Sequence, residues 1–374
     1  MTKKILQIGN WPPPVCGWAM SLVGLRRELE ARGWDCPVMN LNENRRLPSP
    51  EYIDVQNGQD YVSKIWKHVW RGYAVHVRVN GETKKGYLLA LVALGLARLA
   101  GRPGLLTYCG GHRQSFFPAP RASFRHLAFS LLFRMPTRIY CNSEPVKQAL
   151  LTTGIDAHRV VPIPHFSAQY VLFTPAVLPD QVSSFCSRFD GTFFLYMCYR
   201  KEYMLEFLAE AMRRFRAQFP RIGFLLVGTS ERELEPLESF FKSQGLKDAV
   251  CITGSVTHDA FLTMVTRSLA CIRSPMTDGV SSSVMEALAL GVPVLGSDNG
   301  TRPRGVELWR QEDPESLLKL MAEAVQNRAA MIARMPPFSA EDNTRKLADD
   351  VEMACGSESE SKTASSRSGA VAGS

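Results

Sequence analysis

Apolar and polar positions along the chain fall into alternating strand-like and helix-like blocks. Residues 4–9 (KILQIG) form a short apolar run with the length of a buried strand. A Pro- and Gly-containing stretch, residues 10–17, follows it. Residues 19–32 then repeat apolar side chains at helical spacing, and Gly33 is placed to cap that helix. Strand, glycine-containing loop and helix together make the first unit of a doubly wound sheet. Residues 105–108, 138–142 and 160–164 read as further strands, and 87–100, 122–134 and 144–153 as helices. The run YLLALVALGLARLA (87–100) has 14 residues and contains Arg98. A membrane span needs about 20 apolar residues, so this run reads as a buried core helix.

Residues 166–190 carry Pro175 and Pro179 and break the alternation, as a linker does. The alternation then restarts. Strands are expected at 192–197, 224–227, 250–253, 269–273 and 293–296, with helices at 204–219, 233–244, 259–265 and 283–290. Strands alternating with helices predict a parallel sheet covered on both faces. The fold class is therefore α/β, with two Rossmann-like domains. The expected boundaries are 1–165 for the first domain, 166–190 for the linker and 191–336 for the second domain. Late helices are expected at 314–328 and 340–354; a C-terminal helix segment, 337–354, has the option of returning to the first domain. Residues 355–374 are rich in Ser, Gly and Ala without an apolar period and read as a disordered tail.

Composition narrows the class. The chain has 374 residues, 45% hydrophobic and 21% charged, which suits a globular protein of two domains. Nine scattered cysteines include no C-x-x-C pair, so neither a zinc site nor a disulfide framework is indicated, and a reducing cytoplasm is the simplest setting. The opening MTKKILQIGN is too short in apolar residues for a signal peptide. The net charge of +8 is uneven: residues 1–180 hold 22 Lys+Arg against 11 Asp+Glu, and the remainder holds 22 against 25. A basic first half suggests an anionic partner, with plain solubility as the alternative. No helix-turn-helix, RNA-binding or zinc-finger pattern supports a basic nucleic-acid-binding protein. No G-x-G-x-x-G follows the first strand, which removes the fingerprint of a dinucleotide oxidoreductase.

The chemistry concentrates in TDGVSSSVMEAL (277–288). The glycine- and serine-rich turn offers backbone N–H groups at a helix N-terminus, a setting for a phosphate or a sugar oxygen. Asp278 can accept hydrogen bonds from hydroxyls. Glu286 stands in an apolar helical run and has two readings. Ser283-x-x-Glu286 fits a capping box; alternatively a ribose diol satisfies the buried carboxylate.

The run SPMTDGVSSSVMEALALGVPVLGSDNGTRPRGV resembles the donor site of retaining GT-B glycosyltransferases of family four, where an acid, seven residues and a glutamate precede a helix and a G-x-P-V strand. KILQIGNWPPPVCGWAMSLVGLRRELEARG, TYCGGHRQS, RIYCNSEPVKQALLTTGI and RVVPIPH resemble the family's earlier units, in order. The resemblance implies two doubly wound domains facing a cleft. It implies that Glu286 holds the donor ribose and Asp278 the transferred sugar, with Gly279, Val280 and Ser281 at the sugar or diphosphate. Arg200 and Lys201 would neutralise the diphosphate, Gly17 would let the backbone approach it, and His112 would face the sugar. Gly254, Ser255 and Val256 would line the base. The sequence departs from the family at Cys16 and Trp18 beside Gly17, at CYRKEYM (198–204), and at His165 in the hinge.

No Asp-x-Asp occurs, so no metal is expected, and no cofactor beyond the nucleotide-sugar substrate. Cationic side chains would then stabilise the leaving diphosphate. The expected activity is transfer of a hexosyl or related sugar to a glycan or lipid-linked glycan in polysaccharide or glycoconjugate biosynthesis. A GT-B epimerase or hydrolase acting on the nucleotide sugar is the alternative enzyme. Arg121, Arg125, Arg134 and Arg138 around SFRHLAFSLLF suggest peripheral contact with an anionic membrane at its cytoplasmic face, against an ordinary core helix.

Overall fold

The computed structural model describes residues 3–12, 17–81, 83–111, 117, 124–276, 280–300, 302–338 and 341–369, with the side chains of 124–128 and 357–369 excepted. The chain divides into two compact units, residues 1–167 with 342–374, and residues 168–341.

In the first unit the elements run β1 (Ile5–Gly9), α1 (Gly17–Ala31), β2 (Val38–Asn40), α2 (Gly58–Trp70), β3 (Ala74–Val79), α3 (Lys84–Leu99), β4 (Gly104–Tyr108), α4 (Phe124–Arg134), β5 (Arg138–Cys141), α5 (Glu144–Leu151) and β6 (Val160–Pro162). The strands form one parallel sheet in the order β2-β1-β3-β4-β5-β6. Its strands are buried nearly throughout, as expected for a sheet with both faces covered. Leu6, Ile8, Val75, Val77 and Leu106 face α2, α3 and α4 in one core. Ile5, Ala74, Leu105 and Tyr140 face the other side, against Leu25 and Leu29 of α1 and Leu347, Ala348 and Val351 of a C-terminal helix.

The second unit runs α6 (Asp180–Cys186), β7 (Gly191–Tyr196), α7 (Leu205–Gln218), β8 (Ile222–Val227), α8 (Glu231–Ser243), β9 (Val250–Ile252), α9 (His258–Thr266), β10 (Ala270–Arg273), α10 (Ser282–Ala289), β11 (Val294–Ser297), β12 (Val306–Trp309), α11 (Pro314–Gln326) and α12 (Arg328–Ala333). Its parallel sheet has the order β12-β11-β10-β7-β8-β9. Strand order reverses between β7 and β10, because β7 leads towards β8 and β10 leads the other way, towards β11. Such a reversal opens a crevice beyond the carboxyl ends of the two strands, where ligands of doubly wound sheets bind. The corresponding reversal in the first unit lies between β1 and β3.

The C-terminal helix, α13 (Asn343–Gly369), packs on α1. It continues past Cys355, where composition predicts a disordered tail. Lack of an apolar period does not bar helix, because extending an already nucleated helix needs no new nucleus. Its early turns are tied to the first unit by polar contacts. Asp350, largely buried, accepts from Arg138 Nε at 2.9 Å and from the Tyr140 hydroxyl at 3.0 Å, both on β5. Trp34 Nε1 donates to Glu352 at 2.7 Å. Asp350→Ala leaves a guanidinium and a buried hydroxyl without this acceptor; it is expected to lower the unfolding free energy by about 2 kcal/mol in chemical denaturation.

Candidate functional site

The carboxyl ends of β7 and β10 carry the two loops that hold most of the expected chemistry. After β7, the chain passes Arg200 and Lys201 and turns at Met204, whose φ of 56° is left-handed. A side chain there costs about 1–2 kcal/mol, and the turn starts α7 directly. After β10, Ser274 donates its hydroxyl to the Tyr203 carbonyl at 2.8 Å, linking the second loop to the first. Arg302 fixes the same loop from the β11 side. Its guanidinium donates to the Pro275 carbonyl at 2.9 Å and to Ser297 Oγ at 2.9 Å. A Cβ on Gly296 would lie 2.6 Å from Val306 and 3.3 Å from Arg302 Nε, so glycine is what admits this packing. Arg273, buried at the end of β10, has its guanidinium carbon 5.4 Å from the rings of both Tyr196 and Tyr203.

Asp278 and Gly279 lie outside the described residues, and so does His112. Val280 follows the second loop as a half-buried residue, and Ser281 is the N-cap of α10. That start corrects the capping-box reading of Ser283 and Glu286. With the cap at Ser281, Glu286 is the fifth helical residue and cannot reach back to the cap N–H, which needs the third position. Ser283 Oγ instead lies 3.0 Å from Ser281 Oγ.

Glu286 is 7% exposed, and its carboxylate meets His258, with Oε1 2.9 Å from Nε2. No other described residue bonds to that carboxylate, which leaves Oε2 for a further donor. His258 opens α9, two residues after Val256. Thr257 caps that helix, accepting from the Ala260 N–H at 3.3 Å. The pair therefore joins Glu286 to the loop after β9 that contains Gly254, Ser255 and Val256. Gly254 is half-buried and Ser255 exposed. A Cβ on Gly254 would come no closer than 3.6 Å to its neighbours, so sterics alone do not demand glycine there.

Burial works against a charged His258 imidazole, but the hydrogen bond and charge of Glu286 outweigh it and hold the pKa above its ordinary 6.5. A raised folded pKa contributes stability that is complete below the unfolded value and is lost as pH rises through the folded one. Thermal unfolding followed across this range is expected to show a midpoint falling with rising pH. His258→Gln, which removes the titration, is expected to flatten that dependence.

Arg200 is 60% exposed on its side chain and stands 3.6 Å from Glu233 of α8, which also accepts from Ser230 Oγ at 2.8 Å. Lys201 is exposed and forms no ion pair with any described residue. Gly17 begins α1 in the first unit, after the β1 end of that unit's own strand-order reversal. His165 is enclosed; burial first, then the nearby Arg78 charge, push its pKa down to about 3, so its imidazole is neutral. The backbone N–H of His165 donates to Asn142 Oδ1 at 3.3 Å.

His258, Arg273 and Arg302 are not among the site residues that the sequence predicts. His258 had one accessible sign, its place at the start of a helix directly after the expected base-lining turn. The two arginines had none, since their roles depend on contacts across the sheet edge. Among the described residues no group of three or more His, Cys, Asp or Glu side chains is placed to hold a metal ion, and no two of the eight described cysteines form a disulfide.

Residues 191–335 match the family model of glycosyl transferases group 1. No curated protein shows significant sequence similarity to the chain. Among solved structures, the chain is similar to a glycosyltransferase from Rickettsia africae ESF-5, with TM-score 0.66, 14% identity, and coverage of 94% of this chain and 99% of that one. It is similar to Anabaena Alr3699/HepE in complex with UDP-glucose, with TM-score 0.64, 15% identity, and coverage of 96% and 99%. It is also similar to Methanocaldococcus jannaschii UDP-GlcNAc 2-epimerase in complex with UDP-GlcNAc and UDP, with TM-score 0.62, 16% identity, and coverage of 94% and 99%. The two parallel-sheet units are those of the GT-B fold.

Proposed function

We propose that the chain is a retaining, metal-independent glycosyltransferase. It would move a hexosyl or related sugar from a nucleotide sugar to a glycan or lipid-linked glycan in polysaccharide or glycoconjugate biosynthesis. The observation that carries this reading is Glu286. It is a buried carboxylate that does not cap its helix, tied through His258 to the loop after β9 and left with one oxygen for another donor. The match of residues 191–335 to glycosyl transferases group 1 supports the same reading. UDP-glucose in Alr3699/HepE makes a UDP-sugar the first donor to try.

In this proposal Glu286 accepts the ribose hydroxyls, and Gly254, Ser255 and Val256 line the base. Arg200 and Lys201 meet the diphosphate, and the amides of Gly279, Val280 and Ser281 face the diphosphate or sugar. Asp278 accepts the transferred sugar's hydroxyls. The anomeric C–O bond breaks with its electron pair going to the departing phosphate oxygen. The acceptor hydroxyl attacks the same face and gives its proton to that oxygen. Stabilising the growing phosphate charge is then the main task of the protein.

The similarity to UDP-GlcNAc 2-epimerases makes epimerisation the competing reading. Proton NMR of UDP-glucose or UDP-GlcNAc incubated with and without glycan acceptors separates the two. Transfer predicts a new glycosidic signal, with the donor's anomeric configuration, only when acceptor is present. Rapid epimerisation or hydrolysis without acceptor overturns the transferase reading.

A further inference from the structure

Helix α2 carries two apolar stripes, although a surface helix of a globular unit needs only one. Tyr61, Ile65 and Val69 are buried against the sheet. Val62, Trp66 and Trp70, also spaced by four, are 40%, 44% and 62% exposed, and the two indoles meet edge to face with centroids 5.4 Å apart. The outward side chains Leu88 and Leu99 of α3 and Leu131 of α4 are exposed on the same helical layer. Arg102 Nε donates to the Val69 carbonyl at 3.2 Å, which brings the C-terminal ends of α2 and α3 together. Lys67, Arg71, Arg98 and Arg134 are exposed on this layer. From Tyr61 to Ser143 the sequence holds 13 Lys+Arg and a single acid, Glu82.

We propose that this outer face of the first unit, centred on Trp66 and Trp70, is a docking surface for an anionic lipid bilayer. Indole side chains settle at the boundary between headgroups and hydrocarbon, and the surrounding cations meet acidic headgroups. A protein partner's acidic patch would answer the charge but gives no reason for apolar side chains scattered over three helices. A nucleic acid would use aligned stacking faces, whereas the two indoles stand edge to face at 69° among aliphatic residues. No helix of the described residues is long and apolar enough to cross a membrane, so the contact proposed is with the surface. It goes beyond the proposed transfer reaction, and its test reads binding alone.

The full chain is sedimented with vesicles of phosphatidylcholine, with and without phosphatidylglycerol, at low and high salt. The expected result is binding to the phosphatidylglycerol vesicles at least about tenfold stronger than to neutral ones, weakening with salt. Trp66→Ser/Trp70→Ser is expected to lose about tenfold or more of that binding, and Lys67→Ala about fivefold, with circular dichroism, thermal unfolding and UDP binding unchanged. No binding to phosphatidylglycerol vesicles, or binding indifferent to the double tryptophan variant, overturns the proposal. So does a concentration-dependent dimer without vesicles that the same variant abolishes, since the face would then belong to a second copy.

Discussion

Glu286→Ala is expected to reduce UDP binding by about 10²–10⁴-fold while the protein stays folded. The magnitude comes from the bonds at stake. A hydrogen bond to a charged acceptor is worth about 1.5–3 kcal/mol, and the proposed ribose contact has two of them. Glu286→Gln keeps the shape and an acceptor oxygen but loses the charge, so a smaller loss, about tenfold to a hundredfold, is expected. Calorimetric titration with UDP measures both. The rival role for Glu286 is purely structural. Its bond to His258 joins α10 to α9, and breaking it could destabilise the second unit. The two roles separate cleanly: if Glu286→Gln lowers the unfolding midpoint while folded material binds UDP as tightly as wild type, the His258 contact is the whole purpose of the carboxylate.

Arg200→Ala/Lys201→Ala is expected to lower kcat by about 10²–10³-fold. Removing a positioned donor at a developing negative charge has that order of effect, and the proposed reaction has no metal to share the load. The single variants are expected to differ. Arg200 already faces Glu233 at 3.6 Å, so part of its charge is compensated within the protein. Lys201 has no such partner among the described residues, so Lys201→Ala should account for the larger share. Steady-state kinetics with a UDP-sugar and an acceptor tests this: equal losses in the two single variants would show that the Glu233 contact does not weaken the share of Arg200.

Much of the second unit was legible because its strands are continuous apolar runs, bounded by glycine or proline, with amphipathic helices between them. Boundaries such as β8 at Ile222–Val227 and α9 at His258–Thr266 differ from the expected ones by one or two residues. The stretch between α1 and α3 was not legible. Strand β2 is only three residues long. Strand β3 reads AVHVRV, with a polar alternation that hides a fully buried strand. Its His76 is enclosed and meets Thr107 Oγ1 at 2.6 Å, and its Arg78 reaches Ser21 Oγ at 3.0 Å. Those polar side chains are accommodated by neighbours far away in sequence, which no local pattern announces. The site divides the same way. The spacing that places Glu286 on a helix facing inward is local. Its partner His258 lies 28 residues upstream and is found only when α9 and α10 are packed together. The helix start that rules out the capping box also depends on the loop's path from β10, because Ser281, Ser282 and Ser283 are equally good caps by sequence.

The proposed transfer requires the second unit to bind a nucleoside diphosphate sugar. A thermal-shift series with UDP, GDP and ADP, followed by their sugars, tests it most directly. A ligand that binds only the folded state stabilises it by about 2.7 kcal/mol at a hundredfold excess over Kd. The expected result is a clear rise in the unfolding midpoint with one of the three nucleotides, strengthened by its sugar and lost in Glu286→Ala. A folded wild-type protein whose midpoint does not move with any of the three, or with their sugars, would contradict it.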